Sequence, residues 1–229
     1  MNRLHLAATH VRRALFAVLT LVLLAPGMLR AQLAWESPQL IRPGAPAGWS
    51  FIVIDYGLNP YTGVGGGIVW REDRAPSGLG IRASAAQGLG DKVNFAGGVD
   101  VSGPLLHSSV FPLELIWVSG IGGSYGEYFE AGIPIGVAGG RSVESKAVWF
   151  NPYTSARAVV EGRLGEAAPE GTFSLALAID VGADLAFGPS RNFLVRMAFS
   201  LGDRHAAALG FTLGGSSLSS ARAAPLRRH

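Results

Sequence analysis

From Phe173 to Phe187 the chain reads FSLALAIDVGADLAF, and its side chains alternate without a break. Phe173, Leu175, Leu177, Ile179, Val181, Ala183, Leu185 and Phe187 share one face. Ser174, Ala176, Ala178, Asp180, Gly182, Asp184 and Ala186 share the other. A strand has period two, so the stretch predicts one long strand with a bulky apolar face and a small, partly charged one. The same phasing returns in the runs around Val64–Trp70, Leu79–Ala85, Val93–Val101, Phe111–Trp117, Phe129–Val137, Phe193–Leu201 and Ala207–Leu213. Two runs are less clear. WSFIVIDYG, from Trp49, is apolar on both faces, and Ser145 to Leu164 alternates weakly, with Arg157, Glu161 and Arg163 on one parity. Together they predict about ten strands, with eight as the alternative. Connections such as GLGD, GPSR and GD are short enough for hairpins, so the chain runs up and down with antiparallel neighbours.

Alternation alone does not say which face points inward. The second face is Gly, Ala and Ser with isolated charges, which suits the crowded inside of a narrow barrel better than a watered surface. The bulky set is too large for the inside of a ten-stranded soluble barrel. Strands of this length match the roughly 9–11 residues that cross a membrane at a tilt. The opposite phase would turn Asp100, Glu130, Asp180, Asp184 and Arg196 toward hydrocarbon. Arginine alone costs about 2–4 kcal/mol at the bilayer midplane, so several such residues would consume a typical folding margin of about 5–15 kcal/mol. A sheet in lipid must also close, because an open edge leaves backbone groups unpaired. The fold expected is therefore all-β: a closed, antiparallel, up-and-down transmembrane β-barrel.

Composition sharpens the picture. Charged residues are 15% of the chain, hydrophobic ones 48%, and there are 32 glycines in 229 residues. Residues 1–31 carry Arg12 and Arg13 ahead of the uncharged run ALFAVLTLVLLA and then Pro26-Gly27, the layout of a cleaved secretory signal peptide. That run is too short for a membrane-spanning helix. Cleavage is expected after Ala31, with Ala34 as the alternative. Residues 1–31 hold four arginines and no acid, so without them 15 basic residues face 16 acidic ones. The alkaline isoelectric point of the whole sequence thus gives no case for nucleic-acid binding. Cysteine is absent, which excludes disulfides, thiolate metal sites and thiol nucleophiles. Residues 32–48 form an irregular lead containing RPGAPAG, residues 49–214 the barrel, and residues 215–229 a flexible polar tail.

Two segments, NPYTGVGGGIVW from Asn59 and NPYTSARAVVEG from Asn151, each read as a strand entered through Pro-Tyr, in a Gly-rich setting. In this the chain resembles the small bacterial outer-membrane β-barrels, the broad group that includes the outer membrane protein A transmembrane domain and the opacity-type proteins. The resemblance covers roughly residues 49–214. It implies residence in the bacterial outer membrane, contact with outer-membrane lipid, and handling by the barrel-assembly machinery during biogenesis. Such barrels often end on an aromatic residue; here the last aromatic is Phe211.

The inward charges Arg82, Asp100, Glu130, Arg157, Asp180, Asp184 and Arg196 are the main chemical candidates. They read either as an ion network filling a narrow lumen or as the lining of a narrow passive pore. Trp70, Trp117, Trp149, Tyr153 and Phe187 are expected in the interfacial belts of a membrane barrel. The alternatives are a soluble exported barrel that binds an apolar ligand, and an outer-membrane lipid-modifying enzyme. The second would rest on His107, Ser109 and Glu114, a His-x-Ser pair with an acid nearby. GGSYG, from Gly122, matches the nucleophile pattern around Ser124 but has strands on both sides where that elbow needs a helix, so it reads as a hairpin turn. No enzyme activity and no cofactor are expected. No metal site is expected either, since the histidines beyond residue 31 are only His107, His205 and His229, without ligand spacing.

Overall fold

The computed structural model describes residues 35, 37–43, 48–55, 64–72, 78–87, 93–106, 113–126, 128–144, 148–165, 173–187, 193–203 and 205–213. The signal-peptide segment, the tail from residue 215, His107, Ser109 and the first Asn-Pro-Tyr-Thr stretch lie outside the described residues.

The strands are β1 (Gly48–Asp55), β2 (Val64–Arg71), β3 (Gly78–Gln87), β4 (Val93–Leu106), β5 (Glu114–Tyr125), β6 (Phe129–Gly140), the two-residue β7 (Val143–Glu144), β8 (Val148–Leu164), β9 (Phe173–Phe187), β10 (Phe193–Gly202) and β11 (Ala206–Leu213). Apart from β7, each pairs antiparallel with its neighbours in sequence, β6 passing directly to β8. The first and last strands pair as well, Ser50 opposite Thr212 and Asp55 opposite Ala207. Ten strands therefore close an up-and-down barrel, as the alternation predicts. Closure removes the open edge that a sheet would otherwise present.

At this seam the hydroxyls of Ser50 and Thr212 lie 2.6 Å apart inside the barrel. Outside, Phe211 stacks on Phe51 at 5.7 Å and on Phe193 at 6.2 Å between ring centres. Thr212→Val keeps the shape and removes the inner bond. It should lower stability by about 0.5–1.5 kcal/mol, measured as a shift in the urea midpoint, and leave the barrel closed.

The two faces separate as their residue types demand. On β9, Phe173 is 79% exposed and Leu175 61%, while Asp180 is 1% exposed and Asp184 fully buried. Phe193 and Phe199 on β10 also point outward, opposite the buried Arg196 and Ser200. Among the described residues the exposed charged and histidine side chains sit at strand ends. Asp55 closes β1, Glu114 opens β5, Arg141 follows β6 and His205 precedes β11. The outer wall between them is apolar. Thr154, an outward hydroxyl in β8, donates back to the Asp180 carbonyl at 3.0 Å.

β1 explains why its sequence is apolar on both sides. Trp49, Phe51 and Val53 face outward, while Ile52 and Ile54 face inward and pack in one buried cluster with Trp35, Leu40, Val69 and Tyr153. Trp35 and Leu40 belong to the segment before the first strand. The described part of the lead before β1 lies inside the barrel: Trp35, Ser37, Gln39, Leu40, Ile41 and Arg42 are all buried. The motif around Asn151 is also placed differently from expectation. β8 starts three residues earlier, at Val148, so Pro152-Tyr153 lies within the strand and does not begin it.

Candidate functional site

The interior is organised by register. Asp180 and Asp184 stand four residues apart on the inner face of β9, where a period of two returns them to the same side. β10 places Ser200 opposite Asp180 and Arg196 opposite Asp184, and β8 places Ser155 and Asn151 opposite the same two acids. On the wall, Asp180 is bonded from β8 and Asp184 from β10, while Ser200 on β10 accepts from Arg157 at 3.0 Å. Arg157 holds Asp180 at 3.2 Å, and Ser155 donates to it at 3.0 Å. Arg196 holds Asp184 at 3.2 Å. Across the lumen, Asp100 on β4 is held by Arg71 at 2.5 Å and Arg82 at 3.3 Å. A third group lies toward the other mouth of the barrel. There Arg163 bridges Glu130 at 3.2 Å and Glu161 at 3.4 Å, and Ser174 donates to Glu161 at 3.0 Å.

All seven residues singled out as lumen charges are therefore inside, in three groups joined by arginine. Four further charges complete the groups: Arg42, Arg71, Glu161 and Arg163. Glu161 and Arg163 share the parity of Arg157, and Arg71 shares that of the inward Val69, so their side was readable from phase alone. Arg42 had no phase to read.

The residues that fill the space are Trp35 and 37–43, the described part of the segment 35–43. It runs along the lumen from Trp35, beside the middle of β4 and β5, to Arg42, near the barrel end that carries Gly48 and Leu213. Having no strand partner, its main-chain groups need others, and the wall supplies them. Arg157 donates to the carbonyls of Trp35 and Ser37, the latter at 3.2 Å. Arg82 donates to the Gln39 carbonyl at 3.1 Å, and Arg196 to the Leu40 carbonyl. The Gln39 N–H donates to Asp180 at 3.3 Å. Leu40 has a φ of 54°, the left-handed region that costs an L-residue roughly 1–2 kcal/mol. It is held there by its buried side chain and the bond to its carbonyl.

Two side chains anchor the ends of the segment. The Trp35 indole lies under the Arg82 guanidinium, 4.6 Å from the ring centre. Its edge lies against Gly98, Gly120 and Gly122. A Cβ on these glycines would come within 2.9, 3.1 and 3.0 Å of the ring, and a Cβ at Gly120 would also meet the Val99 carbonyl oxygen at 2.6 Å. Glycine there leaves room both for the indole and for the neighbouring strand. At the other end, the Arg42 Nε donates to Asp184 at 2.5 Å, and its guanidinium lies 4.5 Å above the Trp149 ring. Between the anchors, Ile41 packs with Ile116, Val118 and Ala138.

Of the five aromatics expected in an outer belt, Trp70, Trp117 and Phe187 do face outward, and Trp49 pairs with Trp70 on the same side. Trp149 and Tyr153 face inward and are buried, which corrects that expectation for both. They share the odd parity of Asn151, Ser155 and Arg157 on β8. Trp149 carries Arg42, and the Tyr153 ring fills the space where Gly182 has no side chain.

Ser124 is likewise not in a turn. It lies within β5, buried, opposite Ala96 and Glu130, in no strand-to-helix elbow. Among the described residues no three His, Cys, Asp or Glu side chains converge as metal ligands.

The class that this fold and interior define is a closed ten-stranded antiparallel β-barrel with its own N-terminal segment in the lumen. No protein-family model matches the chain, and no curated protein is similar to it.

Proposed function

We propose that the protein is a bacterial outer-membrane β-barrel of the small type, exported by a cleaved signal peptide and shut at rest by residues 35–43. The observation that carries this reading is the outer wall. Among the described residues thirty-three large apolar side chains are exposed, far beyond the patch of a few hundred Å² usual for a soluble monomer. Trp117 and Tyr125 support it. They lie eight residues apart on the outer face of β5, about 26 Å along the strand at 3.3 Å per residue. At the roughly 35–45° tilt of membrane-barrel strands this is about 20 Å along the barrel axis, within the apolar band of about 25 Å between the aromatic girdles of such barrels. A soluble barrel binding an apolar ligand would need the opposite arrangement, with Phe193 and Phe199 around a central cavity.

In this reading the role is structural, or that of a narrow conduit opened only when the segment moves. Lipid is the solvent of the outer wall, and the barrel-assembly machinery is the partner during biogenesis. Fractionation tests the location: the protein should pellet with outer membranes, need detergent for extraction, and run as a faster band when unheated. Recovery in the periplasmic supernatant would refute it. In planar bilayers the intact protein should give no steady current, because Trp35 and residues 37–43 lie buried within the lumen. A steady open current from the intact chain would count against the closed state.

A further inference from the structure

We propose that the lumen wall is a binding site for a peptide of irregular backbone, read through its backbone carbonyls and through an aromatic ring and an arginine seven positions apart. The inference rests on the closed-lumen reading and deepens it by naming the ligand class that the wall accepts.

Most of the polar contacts between wall and segment go to main chain. Arg157, Arg82 and Arg196 reach the carbonyls of Trp35, Ser37, Gln39 and Leu40, and Asp180 takes an N–H. Such contacts do not depend on which side chains occupy positions 37 and 39. Specificity comes from the ends. One subsite is a slot of glycines under a guanidinium, shaped for a flat ring. The other is a carboxylate beside an indole, suited to an arginine. The Trp35 Nε1 and the Gln39 Nε2 meet no acceptor, so the ring is read by its plane and the amide is not read.

The wall is also preorganised. Each of the three gripping arginines is fixed by an acid on another strand: Arg157 by Asp180, Arg196 by Asp184 and Arg82 by Asp100. Fixed donors lower the cost of binding. The resident segment enters β1 only five residues after Pro43, at Gly48, so its tether gives it a high effective concentration. A second peptide of the same pattern competes once that tether is cut.

The test places a site-specific protease sequence between Pro43 and Gly48 in the full chain. The protein is refolded in detergent and cut to completion, checked by mass. A labelled synthetic peptide of residues 32–43 is then titrated into the cut barrel. The expected result is retention of the N-terminal fragment through gel filtration, or its loss followed by saturable rebinding of the peptide. Peptides carrying Trp35→Ala or Arg42→Ala should bind at least tenfold more weakly. Trp35→Phe should bind within a few fold of the parent, and Gln39→Ala equally well. Loss of the fragment without rebinding, or equal binding of a scrambled peptide, would overturn the proposal. The measurement is made in detergent, so its failure leaves the membrane location untouched, and failure of fractionation leaves this result untouched.

Discussion

Replacing Trp35 by alanine should lower the stability of the folded barrel by about 3–5 kcal/mol, the range for removing a large buried ring from a packed site. Trp35 is fully buried and is the largest side chain in the cluster that joins the segment to Ile52, Ile54 and Val69 on the wall. The slot around it cannot collapse readily, because its floor is glycine on strands fixed in register by their neighbours. The Arg82 guanidinium loses the ring face beneath it, although its bonds to Asp100 and the Gln39 carbonyl remain. The loss should appear as a fall in the urea midpoint at which the fast-running folded band disappears. In bilayers the variant should show intermittent current absent from the parent, because the anchor of the segment at mid-barrel is gone. A midpoint within 1 kcal/mol of the parent would mean that Trp35 does not occupy the slot.

Asp184→Asn should cost a similar amount, about 3–5 kcal/mol, for an electrostatic reason. Asp184 is fully buried between Arg42 on the segment and Arg196 on β10, at 2.5 and 3.2 Å. Neutralising it leaves two buried guanidinium groups without their carboxylate. Removing a charge partner as well relieves part of that penalty, so Asp184→Asn with Arg196→Gln should lose less than the two single losses added. Thermal melts of the three variants in detergent provide the comparison. Loss of stability with no new steady current fits a charge network that holds the segment in place. A changed current with unchanged stability would instead mark Asp184 as the lining of an open pore.

How much of this was legible follows from particular strands. β9 and β10 could be read outright, because a bulky face opposite small and charged residues has one phase compatible with closure. β1 could not, since its inner face packs against Leu40 and Trp35 and so looks as apolar as its outer face. Trp149 and Tyr153 were misplaced because aromatic type was weighed above parity; their odd phase matched Arg157. The segment itself was not legible. It has no period, and an irregular stretch looks the same whether it crosses solvent or fills a lumen. The clue was compositional: Trp35, Leu40 and Ile41 are unusual company for a solvated linker.

The most direct measurement uses the absence of cysteine from the chain. Ser37→Cys, a near-isosteric change at a buried position of the segment, introduces one thiol. In the folded protein in lipid vesicles it should resist a water-soluble maleimide and react promptly once the barrel is unfolded in urea. Reaction of the folded protein at the unfolded rate would show that residues 35–43 do not fill the lumen.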